Sequence, residues 1–145
     1  MRKLYLFLIL LVLAMPSKAA YLLVPMDDTQ TNHLKAYGVA YWVLQREVEI
    51  SWLLNYRGGS YLIPYHQMFE RECKMRNVSY NVIADAQADA ILAEIADPGV
   101  NMDEMKLQKV PRIAVYAPKN NLPWDDAVTL VLTYAEIPYD VVYDD

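Results

Sequence analysis

An apolar stretch ends in the run Asn55-Tyr56-Arg57-Gly58-Gly59-Ser60, and these residue types can do chemistry. Arginine presents a planar fork that suits bidentate recognition of a carboxylate or another anion. Two adjacent glycines allow backbone to approach a ligand closely, or allow a tight hairpin turn. Asp27 and Asp28 follow the first apolar run and form a second polar cluster. Hard cations prefer such oxygen ligands, but an aspartate before a helix is also a common N-cap. His33 and His66 are the only histidines and Cys73 the only cysteine, so a zinc site of the cysteine-histidine type is not expected.

Phosphate loops are excluded by spacing. No G-x-x-x-x-G-K-[ST] run occurs, and the turn Met26-Asp27-Asp28-Thr29-Gln30-Thr31 has two carboxylates and no glycine. Backbone there cannot cradle a pyrophosphate in the way a dinucleotide fold requires. A nucleophile elbow is missing too. Cys73 lies in the charged stretch Glu70-Arg71-Glu72-Cys73-Lys74 without flanking glycine, and no serine sits in G-x-S-x-G. Cys73 is expected as a half-buried thiol on an amphipathic helix. The sequence therefore implies no catalytic residue, no metal and no cofactor.

The elements that would position these residues alternate. Apolar runs at 20–26, 48–54, 78–84, 112–118 and 139–143 have strand length and composition. Between them, helical periodicity appears over 29–46, 66–76, 85–95 and after Pro123. Asp28, Thr29 and Thr31 are the expected caps of the first helix, and Asp85 caps the third. Gly38 falls inside the first helix and predicts close packing against a neighbour. The stretch 60–64 either pairs back as a hairpin or crosses the sheet end, and 101–111 reads as a connector. Strands alternating with helices, several of them continuous apolar runs, predict an α/β domain. The expected architecture is a three-layer α-β-α fold, Rossmann- or flavodoxin-like, with a mainly parallel five-stranded sheet. With right-handed crossovers the strand order is 3-2-1-4-5, or alternatively 2-1-3-4-5. In such sheets a small-molecule ligand binds beyond the carboxyl ends of the strands. Asp27, Asp28, Asn55, Arg57, Gly58 and Gly59 would line that site. The segment Pro118-Lys119-Asn120-Asn121 and the pair Asp144-Asp145 would stand nearby. The rival expectation makes Arg57-Gly58-Gly59 a hairpin turn with a solvated arginine.

Compartment follows from the N-terminus. Arg2 and Lys3 precede the unbroken apolar run Leu4–Met15, and Ser17 and Ala19 supply small residues at the two cleavage positions. At 12 residues the run is shorter than the roughly 20 a spanning helix needs. A secretory signal over 1–19, cut after Ala19, is expected, placing a single 20–145 domain in the periplasm or outside the cell. Removing 19 of 145 residues leaves 126, enough to bury a core without staples. Cleavage removes Arg2, Lys3 and Lys18 from the 13 basic residues and none of the 18 acidic ones, leaving a net charge of about −8. Such an acidic domain is not expected to bind nucleic acid, or membrane after signal cleavage. A single cysteine allows no internal disulfide.

The stretches "YLLVPMDDTQTNHLKAYGVAYWVLQ", "EVEISWLLNYRGGSYLIPY" and "PRIAVYAPKNNLPWDDAVTLVLTYAEIPYDVVYDD" together resemble an exported bacterial family labelled asparagine synthetase B. The resemblance runs over nearly the whole mature chain. It implies a class I glutamine amidotransferase-like, flavodoxin-type N-terminal domain. Family members are longer, which implies that this chain is the N-terminal part of a larger protein, as does its ending directly after a strand. Glutamine-dependent asparagine synthetases begin with a catalytic cysteine and carry a Ser-Gly-Gly-x-Asp-Ser loop, and neither occurs here. The expectation is an exported ligand-binding or interaction domain without a complete catalytic apparatus. The alternative is the N-terminal part of an amidotransferase-like or hydrolase enzyme whose nucleophile lies beyond residue 145.

Overall fold

The computed structural model describes residues 19–116 and 127–143. The signal segment ahead of Ala19, the strand-end segment Pro118–Asn121, the helix-start residues Pro123, Asp125 and Asp126, and the Asp144-Asp145 pair lie outside them.

The chain begins with β1 (Ala19–Val24), α1 (His33–Leu44) and β2 (Ile50–Leu54), then reverses through Asn55–Gly59 into β3 (Ser60–Pro64). Next come α2 (Gln67–Met75), β4 (Asn81–Ala84), α3 (Asp85–Ile95) and β5 (Asp103–Leu107). These five strands form one sheet in the order β4-β1-β3-β2-β5. Every pairing is antiparallel. The expected mainly parallel sheet, in the order 3-2-1-4-5 or 2-1-3-4-5, does not form.

Two features of the chain explain the correction. The first is the hairpin. Trp52 pairs with Tyr61 and Leu53 with Ser60, so β3 folds straight back on β2. It then inserts between β2 and β1, where Leu22 pairs with Ile63. β1 and β2, joined by α1, still run in the same direction, as a crossover demands, but they are not neighbours. The same holds for β3 and β4, joined by α2, with β1 between them. The result is two interleaved split βαβ units. The second feature is double burial. Leu22, Val24, Tyr61 and Ile63 face α1 and α2, where they meet Val39, Val43, Phe69 and Cys73. Leu23, Leu53, Leu62 and Ile83 face the other way, onto Ala88 and Ile95 of α3. With helices on both sides, β1 and β3 become continuous apolar runs, whatever the direction of their neighbours. The stretch expected as a connector supplies the edge strand β5, whose exposed, charged Asp-Glu-Met-Lys pattern suits an edge.

The helix boundaries have local causes. Asn32, not Asp28, Thr29 or Thr31, caps α1: its side-chain oxygen accepts from the Lys35 N–H at 3.1 Å. His66 caps α2 through Nδ1, which accepts from the Met68 N–H at 3.1 Å. Asp85 is the first residue of α3 rather than its cap, and Gln87 Oε1 accepts from the Ala84 N–H instead.

The remaining strands leave the main sheet. β6 (Ala114–Tyr116) and β7 (Asp140–Val142) pair with each other in parallel, linked across α4 (Ala127–Ala135). This βαβ unit is seated on α1. Gly38 lies against the Ala135 carbonyl so closely that a Cβ would overlap it. Asn32 Nδ2 donates to the Tyr134 hydroxyl at 2.7 Å. Glu136, just beyond α4, joins Lys35 of α1 and Arg76 after α2, and Arg76 also holds Glu72 at 2.7 Å. The close packing expected at Gly38 is thus the joint between the unit and the main sheet.

Candidate functional site

β1 and β2 run the same way, so their carboxyl ends lie at one end of the sheet, with the start of β3 between them. The expected site residues come from these ends. The turn Asn55–Gly59 is strained: Asn55, Arg57, Gly58 and Gly59 have φ of 61°, 46°, 79° and 94°. For Arg57 this left-handed conformation costs about 1–2 kcal/mol. The surrounding structure holds it there. The Met26 N–H donates to the Arg57 carbonyl at 3.0 Å, and Ser60 Oγ donates to the Tyr56 carbonyl at 3.0 Å. Gly58 lies on the Met26 carbonyl, leaving no room for a Cβ. Trp52 Nε1 donates to the Gly59 carbonyl at 3.0 Å, and Asn55 Nδ2 to the Asn101 carbonyl at 2.8 Å.

The side chain of Arg57 turns toward the first loop. Nε donates to Asp27 Oδ2 at 2.7 Å, and Nη2 donates to Thr29 Oγ1 at 2.9 Å. Asp27 Oδ1 also accepts from the backbone and hydroxyl of Thr29. The Arg57 hydrogen bond, followed by that of Thr29, pulls the Asp27 carboxyl down to about 2. His33 Nε2 lies 3.1 Å from the Met26 carbonyl and 3.2 Å from that of Asp27. Carbonyls only accept, so Nε2 carries the proton. Of the six expected site residues, five are therefore gathered at the joined loops. Asp28 is exposed and shares no hydrogen bond with this network among the described residues.

Chemically, the cluster is a clasp. The guanidinium and the carboxylate neutralise each other, and an anionic ligand would have to compete with a carboxylate already fixed by Thr29. Arg57 is partly exposed but paired, rather than freely solvated. Expectation also placed the end of the 112–118 strand here, but β6 belongs to the other sheet.

Elsewhere, Cys73 is buried in the core, and burial pushes its thiol up to about 12. Very little thiolate forms near neutral pH under such conditions. Among the described residues no group of three or more His, Cys, Asp or Glu is placed to hold a metal ion. One polar constellation went unnoticed in the sequence: Glu70 accepts from Tyr65, Lys74 and Tyr80. The Glu70–Lys74 spacing of four on a helix was a legible signal. Tyr80, ten residues on, joins only through the fold.

Comparison of the chain with protein-family models, with curated proteins and with solved structures finds no match.

Proposed function

We propose that this chain is an exported interaction domain that contacts a macromolecular partner through its β6–α4–β7 unit, without a catalytic centre of its own. One observation carries the reading: the apolar surface of that unit. Leu130 is 60% exposed, Tyr134 48%, Val141 49% and Val142 45%. Apart from Thr129 and Thr133, α4 is made of apolar and aromatic residues, and a helix so apolar is normally covered over most of its surface. Parallel strands are normally covered on both faces, yet all three residues of β7 are exposed. Exposed apolar patches of this kind mark contact surfaces. The high thiol pKa of Cys73 and the self-neutralised Arg57–Asp27 pair support binding over nucleophilic chemistry. The resemblance to an exported family supports the compartment in this proposal, together with the apolar leader.

The test combines hydrophobic-dye binding with sedimentation across a concentration series. The wild-type chain should bind the dye saturably or self-associate. The double variant Leu130→Glu, Val141→Lys should lose about tenfold in either measure, a change of about 1.4 kcal/mol. Its circular dichroism should stay unchanged, because both side chains are exposed. A wild-type chain that binds no dye and stays monomeric at about 100 μM, where even contacts of weak complexes populate, would sink the reading.

A further inference from the structure

The contact surface on the β6–α4–β7 unit has a backbone edge as well as apolar side chains. The Asp140 N–H donates to the Ile113 carbonyl at 2.8 Å, on the β6 side of β7. Backbone groups alternate sides along a strand, so the N–H and C=O of Val141 point to the opposite edge. No described strand meets that edge. β5, an edge of the main sheet, is guarded by Asp103, Glu104 and Lys106. β7 carries one charge, Asp140, and Arg112 Nη2 donates to it at 2.8 Å. Its open edge is a template for another strand.

The sequence along that edge is self-complementary. In Tyr139-Asp140-Val141-Val142-Tyr143 the two tyrosines stand symmetrically about Val141. Laid antiparallel on its own copy, with the two Val141 residues opposed, the segment sets Tyr139 against the partner's Tyr143 at both ends. Asp140 then meets the partner's Val142. Cross-strand aromatic pairs stabilise a sheet, and like charges directly opposite destabilise it. A slip of one residue sets Val141 against the partner's Val142, whose backbone groups face β6. A slip of two in either direction breaks the tyrosine pairs, and one of these sets Asp140 against its own copy. β6 has no such symmetry, with Ala114 and Tyr116 on either side of Val115.

We propose, resting on the contact surface above, that its partner is a second copy of this chain, added antiparallel along β7. Two two-stranded sheets then become one of four strands, in the order β6-β7-β7-β6. Each Val141 N–H donates to the partner's Val141 carbonyl. The same patch serves both copies, as two-fold association requires. The axis passes between the two Val141 residues, perpendicular to the sheet, so both α4 helices lie on one side of it. Their exposed apolar residues flank the seam.

Sedimentation equilibrium of the wild-type chain, with hydrophobic-dye binding on the same samples, tests this. A monomer–dimer equilibrium is expected at or below about 100 μM. Val141→Pro removes the outward N–H but no bond to β6, and proline is tolerated on such an edge. It should weaken dimerisation at least about tenfold with unchanged circular dichroism, whereas Val141→Thr, still a good strand former, should change it less than about threefold. Oxidation should link Val141→Cys into a dimer, because directly opposed Cα atoms lie about 4.5–5.5 Å apart, and should leave Val142→Cys unlinked. Cys73 is buried and does not compete. If Val141→Pro alters the fold, the two cysteine variants decide. A chain that binds dye but stays monomeric at about 100 μM would overturn the second copy and leave the contact surface standing; one that neither binds dye nor dimerises would sink both. Dimerisation untouched by Val141→Pro, or equal linking of both cysteine variants, would overturn the strand pairing.

Discussion

Arg57 shows how one side chain's partner decides its role. Its type and its glycine neighbours suit an anion pocket, and its backbone is held in a conformation that arginine rarely adopts. The structure spends the guanidinium on Asp27 and Thr29, tying the loop after β1 to the turn before β3. This has a pH consequence with a definite sign. Asp27 titrates near 2 when folded, below its ordinary value of 3.8. A depressed carboxyl contributes stability that is fully present above the unfolded value and is lost as pH falls through the folded one. Urea midpoints of the wild type should therefore fall between about pH 4 and pH 2 by an increment that Asp27→Asn lacks. Equal slopes for the two proteins in that window would show that the clasp contributes nothing. In the sequence, Arg57 and Asp27 were each legible as polar residues at strand ends. Their pairing was not, because 30 positions separate them.

At the scale of elements, the β2–β3 hairpin governs the sheet. Both glycines have positive φ, but their surroundings differ. Gly58 sits on the Met26 backbone, whereas a Cβ at Gly59 would first meet Trp52 Nε1, at 3.2 Å. Gly58→Ala should therefore cost more than Gly59→Ala. The left-handed conformation costs each about 1–2 kcal/mol, and only Gly58 adds a backbone overlap. Chemical denaturation of the two variants would check this, and an equal loss would mean that the Met26 contact yields freely. The apolar runs and the helix periodicity were visible in the sequence, and so was the turn. The order of the strands was not, since pairing 60–64 back on 50–54 drives a new strand between the first two. Leu22, Leu23 and Val24 misled for a physical reason: a strand sandwiched between helices shows no alternation, in either type of sheet.

At the scale of the whole molecule, the antiparallel sheet and the parallel βαβ unit meet along α1, where Tyr41 also donates to the Pro111 carbonyl ahead of β6 at 3.0 Å. Gly38, Lys35 and Asn32 of α1 receive α4, and Arg76 reaches it from the end of α2. A methyl at position 38 would press on the Ala135 carbonyl and force α4 away. Overpacking of this kind costs about 1–3 kcal/mol. Gly38→Ala should lower the protection of the Leu132–Ala135 amides in hydrogen exchange while leaving the amides of β1 and β3 protected. Loss of protection everywhere at once would instead show that the two parts unfold as a single unit. The same joint leaves the far side of α4 uncovered, which is where the proposed contact surface lies.

The sequence by itself determined the α/β content, the position of most elements, the close approach at Gly38 and the polar character of the two strand ends. These rest on local signals: period, turn residues and the space a glycine leaves. Tertiary structure alone decided that the main sheet is antiparallel, that β6 and β7 form a sheet of their own, that Arg57 clasps Asp27, and that Tyr65, Lys74 and Tyr80 converge on Glu70. Each of these depends on which segments become neighbours across tens of residues. That choice is made by burying both faces of β1 and β3 at once, and no short stretch of the chain encodes it.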